Sequence, residues 1–373
     1  MEKEICYPIR ILHVLNGLEC GGAETLVMNL FRNIDRTKVM FDFVVHTAKE
    51  GFYEKEALNL GARIFRLPAY KIYNHIGYCK AWKNLLSQHP EWRTVHGHVY
   101  SIASVYLKIA KEKGRTTICH CHGVSNGNGL KGKIKDLYKH NICKYSDYKL
   151  ACSESSALWM YGEKAVADKK TKVLYNGIDL PKYSFDHKER DVIRKEYGIR
   201  EGTALLGHTG RFSDCKNHTF LIEVFKEYNK KNPNSMLMLV GDGERRKNIE
   251  EQVVNAGLEN KVVFTGIQAN VSRYLQAMDL FLFPSLYEGL GIALIEAQAN
   301  GLRCVVTDSE SVPKESNISG ETDFELLKSD LWVKAIERGL KKGRIEDTGY
   351  LKNSPYDIRF SVGMLSGIYL GAE

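Results

Sequence analysis

An alternation, run through twice, of short β-branched segments with segments of helix length narrows the folds open to this chain more than any other feature. "IRILHVLN" (9–16), "FDFVVHT" (41–47), "ARIFRLP" (62–68), "TVHGHV" (94–99), "TTICHCHG" (116–123), "YKLACS" (148–153) and "KVLYNG" (172–177) read as strands. Helix-length stretches such as 22–33, 101–113 and 131–145 lie between them. A charged stretch, "DHKERDVIRKEYGIREG" (186–202), interrupts the series. It restarts with "ALLGHTGR" (204–211), "SMLMLVGDG" (235–243), "KVVFTG" (261–266), "LFLFPS" (280–285) and "RCVVTDS" (303–309). Strands that alternate with helices imply parallel sheets covered on both faces. At 373 residues the chain also exceeds the size at which one core stops growing. The expectation is an α/β protein of two doubly wound, Rossmann-like domains, 1–181 and 182–352, followed by a closing segment, 353–373. Such pairs place ligands where the C-terminal strand ends of both domains face one cleft.

Composition removes several classes. No run approaches the roughly 18 apolar residues of a membrane span, and "MEKEICYPIR" lacks the apolar core of a secretion signal. Nine cysteines, scattered singly apart from Cys119 and Cys121, read as reduced thiols rather than a disulfide framework. A cytoplasmic protein is the expectation. The formal charge of +8 permits an anionic partner without choosing between nucleotide, acidic membrane and nucleic acid.

The motifs that carry chemistry stand just after strands. "NGLECGGAE" (16–24) puts Gly21 and Gly22 before a helix, where bare backbone can approach a phosphate and the helix dipole favours the anion. A plain strand-to-helix turn would use the same glycines. The G-x-G-x-x-G spacing of dinucleotide dehydrogenases is absent. In "HTGRFSDCKNH" (208–218), Arg211 and Lys216 flank a turn and Asn217 begins the next helix. A guanidinium fork and a mobile ammonium suit a diphosphate, although two solvated surface cations would look alike in sequence.

"FPSLYEGLGIALIEAQANG" (283–301) is the densest stretch. It reads as a strand, a turn through Gly289 and Gly291, and a helix stopped by Gly301. That helix has almost no polar face, yet carries Glu296, while Glu288 precedes the free amides of the turn. Capping or a salt bridge would account for one of the two carboxylates, not easily for both. A ligand presenting hydroxyls and an anion, such as a nucleotide sugar, would use the amides and both carboxylates.

These stretches, together with "GDGE" and "NGID", resemble the retaining GT-B glycosyltransferases of glycosyltransferase family 4, over nearly the whole chain and in order. "ICHCHG", "CSESSALWMYG" and the near-terminal "YDI" resemble members that build bacterial capsular polysaccharides and exopolysaccharides. The resemblance implies that Glu296 holds the donor ribose hydroxyls and that Glu288 meets the donor sugar ring. It implies that Arg211 and Lys216 neutralise the diphosphate. Gly21, Gly22 and the amides of Gly289, Leu290, Gly291 and Ile292 would lie near phosphates and sugar, with Gly241 and Ile267 completing the donor contacts. His122 would stand beside the sugar's C6 hydroxyl and the reacting centre. Members often follow this histidine with an acidic residue or Asn; here it is Gly123, and His120 and His98 remain competitors for the role. The helix around 356–370 would cross back onto the first domain. The implied reaction transfers a sugar, with retention, from a nucleotide-diphosphate sugar (a UDP-sugar) to a glycan or lipid-linked glycan, with no cofactor and no metal.

"CHCH" (119–122) alternates along one strand, which is not a zinc spacing, and no Asp-x-Asp occurs. "GLKGKIKDLYKHNICKYSDYK" (129–149) carries six lysines against two aspartates, with Leu130, Ile134, Leu137 and Ile142 at helical spacing. It reads as a solvated surface helix or as a contact with an anionic membrane. A nucleotide-sugar epimerase or hydrolase on the same fold is the alternative function. A nucleic-acid binder has only the net charge in its favour.

Overall fold

The computed structural model describes residues 8–99, 102–123, 141–167, 170–351 and 354–371. β1 (Ile9–Leu15) is buried from Ile11 onward on both faces. A strand of that kind belongs in the middle of a sheet with helices on either side. It lies between β2 (Val39–Val45) and β4 (Trp92–Gly97), pairing parallel with each. β3 (Ile64–Arg66), β5 (Thr116–Cys121), β6 (Tyr148–Ala151) and β7 (Thr171–Val173) complete a sheet of order β3-β2-β1-β4-β5-β6-β7 among the described residues. The second sheet runs β10-β9-β8-β11-β12-β13. Its strands are β8 (Ala204–Thr209), β9 (Ser235–Val240), β10 (Val262–Gly266), β11 (Leu280–Phe283), β12 (Cys304–Thr307) and β13 (Thr322–Glu325). Every ladder in both sheets is parallel. In each, the order reverses beside the first strand, so a crevice opens past the carboxyl ends of β1 and β4, and of β8 and β11.

The chain divides into two compact units, one holding residues up to Ile178 and from Ile358 onward, the other Asp179–Asp357. The divisions fall three and five residues from the expected positions (181 − 178 = 3; 357 − 352 = 5). The helix Ile358–Leu370 belongs to the first unit, packing Ile358, Leu365, Ile368 and Tyr369 among Leu26, Leu30, Phe31 and Phe41. The charged stretch after residue 185 is no loose seam. It forms the helix His187–Glu196, capped by Asp186, whose side chain accepts from the Lys188 amide. Arg190 and Arg194 donate from it to the carbonyl of Ala277 and to Asp279. β13 has no counterpart in the sequence reading. "TDFE" is a half-buried edge strand with two acids, too short and polar to show strand periodicity.

One buried carboxylate ties the first sheet together at the amino ends of its strands. Asp42 of β2 is wholly buried and accepts from Arg10 of β1 (2.5 and 2.7 Å), from the Arg63 amide and side chain, and from the indole of Trp92 in β4 (2.7 Å). Burial alone would raise its pKa. The bonds from Arg10, Arg63 and Trp92 outweigh that and hold it well below the usual carboxylate range. β1, β2 and β4 are thereby pinned at one end, leaving the other end for chemistry.

Candidate active site

In the second unit the turn after β11 leads into the helix Ile292–Ala299, buried at every position from Ala293 to Ala299. Gly291 caps it in the left-handed region (φ 81°), a conformation that favours glycine, and a Cβ there would also crowd the Phe283 ring at 3.2 Å. No side chain caps this end, and no acid occupies the first turn. Among the described residues, the amides of Gly289, Leu290, Gly291, Ile292 and Ala293 donate to no acceptor. Five unpaired donors at the positive end of a helix form an anion site.

Three polar side chains sit on or just beyond this buried helix, and their bonding separates their roles. Gln298 donates to the Leu294 and Ser316 carbonyls and accepts from the Ile318 and Ser319 amides and the Ser319 hydroxyl. Asn300 donates to the Tyr183 carbonyl and accepts from Arg344. Both are structural, with the amide nitrogen and oxygen of each hydrogen-bonded. Glu296 is 7% exposed and accepts one hydrogen bond, 2.6 Å from the Tyr183 hydroxyl. A carboxylate has about four acceptor sites, so most of its capacity is open. Burial pushes its pKa up to about 7, against the opposing pull of the Tyr183 bond and of Lys182 and Lys216. Tyr183 escaped the sequence reading. It sits in a four-residue helix, Leu180–Tyr183, whose sequence carries no motif.

The Glu288 carboxylate accepts from the Lys216 ammonium at 2.5 Å, with both side chains under a fifth exposed, so two residues 72 positions apart meet beside the turn. Lys216 is followed by Asn217, the one non-glycine residue at positive φ (53°) among those described, which also opens the helix His218–Lys231. A strained backbone of that kind persists only where its surroundings dictate it. Arg211 does not join this pair. Its side chain is 72% exposed and donates to Glu244 at 3.0 Å, a weak surface contact that a diphosphate could displace. Gly241 (φ 137°) follows β9, where a Cβ would clash with the Gly210 carbonyl oxygen; its glycine is dictated by that close approach. Ile267 follows β10 and is exposed.

In the first unit, Gly21 and Gly22 open the helix Gly22–Asn33 without a side-chain cap. The Glu24 carboxylate folds back over that turn, 2.4 Å from where a Gly21 Cβ would stand. An anion there would have to displace Glu24. At the carboxyl ends of β1, β4 and β5, His13, His96, His98, His120 and His122 stack in one group, with neighbouring ring centroids 4.1–5.4 Å apart. His98, which alone in sequence reads as a structural histidine, bonds His13 at 2.9 Å and His122 at 2.8 Å. Ring nitrogens of His98, His120 and His122, and of His13, His96 and His98, lie within 4.8 Å of one another in each set. Sequence spacing hides both sets because they form across neighbouring strands. The lysine-rich stretch falls outside the described residues from 129 to 140.

Comparison with known proteins decides the class. The Glycosyltransferase Family 4 model matches residues 20–182 and the Glycosyl transferases group 1 model matches 189–347. The chain is 31% identical over 370 residues to EpsF of Bacillus subtilis (strain 168), described as a glycosyltransferase, covering 96% of each chain. This chain belongs to glycosyltransferase family 4. It is also 24% identical over 353 residues to an Escherichia coli UDP-Gal:alpha-D-GlcNAc-diphosphoundecaprenol alpha-1,3-galactosyltransferase, covering 88% of this chain and 87% of that one. Among solved structures, Anabaena HepE in complex with UDP-glucose superposes with a TM-score of 0.78 at 17% identity, over 97% of this chain and 99% of that one. Two parallel-sheet Rossmann-like units in this order are the GT-B fold. The family membership leaves the epimerase or hydrolase alternative without support.

Glu296 makes this family member's stability depend on pH. Its folded pKa lies above the unfolded value, so the protonated form is favoured by folding; stability is full below the unfolded pKa of 4.5 and falls as pH rises toward about 7. Glu296→Gln removes the cost of burying the charge. The variant is expected to match wild type near pH 4.5 and to exceed it by roughly 3 kcal/mol at pH 8. Thermal melts of both proteins across that range check the crossover.

Proposed function

We propose that this family 4 enzyme transfers a hexosyl residue from a UDP-sugar to a glycan or lipid-linked glycan acceptor in cell-surface polysaccharide biosynthesis, with retention of configuration and without a metal ion. The observation that carries the proposal is the grouping, within the second unit, of an under-bonded buried carboxylate, a Lys216–Glu288 pair and a helix end of unpaired amides. Glu296 receives the ribose hydroxyls. The amides of Gly289 to Ala293 and Lys216 receive the diphosphate, and Glu288, released from sole pairing with Lys216, receives hydroxyls of the sugar ring. As the bond from C1 to the diphosphate breaks, negative charge grows on the leaving oxygen. Donors and cations already aimed there stabilise the transition state more than the ground state. Arg211 turns from Glu244 to the same charge. In the first unit, burial lowers the pKa of His122 to about 3, so that ring is neutral. A UDP donor is supported by the donors named for the Escherichia coli and Anabaena proteins, and a lipid-linked acceptor by the former.

An anionic bilayer is the surface at which such an acceptor would be met. Ile72, Tyr73 and Ile76 are 62–85% exposed beside exposed Lys71, Lys80 and Lys83, an apolar patch edged with cations. Flotation with anionic vesicles but not neutral ones is expected; equal behaviour with both would remove the membrane.

Turnover assays with a panel of UDP-sugars test the reaction. Lys216→Ala and Arg211→Ala are each expected to lower kcat by about a hundredfold, with a smaller change in donor KM. The product should keep the donor's anomeric configuration, and a chelator should leave the rate unchanged. Inverted product would overturn retention, and a chelator-sensitive rate with both variants near normal would overturn the charge assignment.

A further inference from the structure

The segment that opens the second unit is fastened to it at several points. Asn300 donates to the Tyr183 carbonyl at 2.8 Å, Gln276 donates to the Ser184 carbonyl at 3.0 Å, and the Asp186 amide donates back to Gln276. Asn300 is in turn held by Arg344. All of these residues belong to the second unit. Tyr183, 6% exposed, is thus fixed at its backbone, and its hydroxyl stands 2.6 Å from Glu296 Oε1. Oε2 takes no hydrogen bond among the described residues.

Packing alone does not call for that hydroxyl. A phenylalanine would fill the same space, and a buried hydroxyl costs free energy unless it is hydrogen-bonded. The 2.6 Å contact has the length of an O–H···O⁻ bond, shorter than the roughly 2.7–2.8 Å usual between neutral groups. A donor of this kind favours the charged form of its acceptor.

The Glu296 carboxyl stands in need of it. Burial raises its pKa to about 7, against the Tyr183 bond and the charges of Lys182 and Lys216. Lys216 is already paired with Glu288. The other ionisable groups on the elements packed against this helix are Cys304, Lys314 and Glu315. Burial pushes the Cys304 thiol up, so it carries no charge, and Lys314 is paired with Asp308. Among the described residues, Tyr183 alone is hydrogen-bonded to the carboxylate.

We propose that Tyr183 is a positioning residue that keeps Glu296 ionised, and so able to accept from the donor's ribose hydroxyls, at neutral pH. The proposal rests on the reading of Glu296 as the ribose acceptor. A protonated carboxyl turns one of its oxygens into a donor and loses part of that capacity. Donor affinity therefore follows the charge on Glu296, and the tyrosine hydroxyl sets the pH at which that charge appears.

Two measurements on wild type, Tyr183→Phe and Glu296→Gln, between about pH 5 and 9, test this. Thermal melts without ligand read the carboxyl alone. Relative to Glu296→Gln, wild type should lose stability as pH rises toward about 7 and then level off. In Tyr183→Phe the folded pKa is higher, so the loss should continue for about one further pH unit. Calorimetry reads the ligand side as the ratio of affinities for UDP and 2′,3′-dideoxy-UDP, in which titration of the phosphate common to both cancels. In wild type the preference for UDP should grow with pH through about 7. In Tyr183→Phe the same rise should be displaced upward by about one unit, with the preference reduced about threefold near pH 7.5 and restored near pH 9. Loss of a tyrosine that only fills space would not be rescued by pH. Coincident melting and preference profiles in wild type and Tyr183→Phe would overturn the proposal, and so would a preference in Tyr183→Phe that stays low at every pH. A wild type with no preference for UDP at any pH would instead overturn the ribose reading, whatever the melts show.

Discussion

All strands of each sheet run in one direction, and the remaining organisation follows from that. In a parallel sheet every strand-to-helix turn opens at the same edge. Residues far apart in sequence therefore meet there without any long-range pairing motif. Lys216 follows β8 and Glu288 follows β11, and the switch in strand order makes those two strands neighbours. The same geometry gathers His13, His98 and His122 from β1, β4 and β5. At the opposite edge, Asp42 locks β1, β2 and β4 with charged hydrogen bonds. One edge of the first sheet is saturated with partners and the other is short of them.

That shortage identifies the groups with a task. Asp42, Gln298 and Glu296 are all buried polar side chains, yet only Glu296 accepts a single bond. Leaving a buried carboxylate under-bonded costs several kcal/mol by desolvation, and the rise of its pKa to about 7 is the sign of that cost. A purely structural position would be filled more cheaply by an apolar residue of the same size. A ligand carrying a pair of hydroxyls repays the cost when it binds, and the unpaired amides at the N-terminus of the same helix supply the complementary place for its phosphates.

The sequence was legible where the physics is local. All twelve expected strands are present, because buried parallel strands are apolar runs bounded by glycine turns, and Gly291 and Gly301 bracket the site helix as read. Glu288 and Glu296 stood out because a carboxylate beside an apolar run is conspicuous. Tyr183 was not legible, since nothing in "LPKYSF" marks a tyrosine that will cross 113 positions to reach Glu296. The helix His187–Glu196 was obscured because its buried face is made by Ile193 and Arg194, and a buried arginine reads as solvent-facing. The histidine series was split by the same logic. "HGH" and "CHCH" each look unremarkable, and only adjacency of strands turns them, with His13, into one network.

The central claim is that Glu296, ionised in a dry helix above its raised pKa of about 7, holds the donor's ribose. Titration calorimetry with UDP and with 2′,3′-dideoxy-UDP, on wild type and on Glu296→Gln, isolates that interaction as a thermodynamic cycle. The account predicts that wild type binds the dideoxy analogue at least about tenfold more weakly, since a hydrogen bond to a charged group contributes about 1.5–3 kcal/mol. It predicts that the variant scarcely distinguishes the two ligands. An equal preference for UDP in both proteins would contradict it.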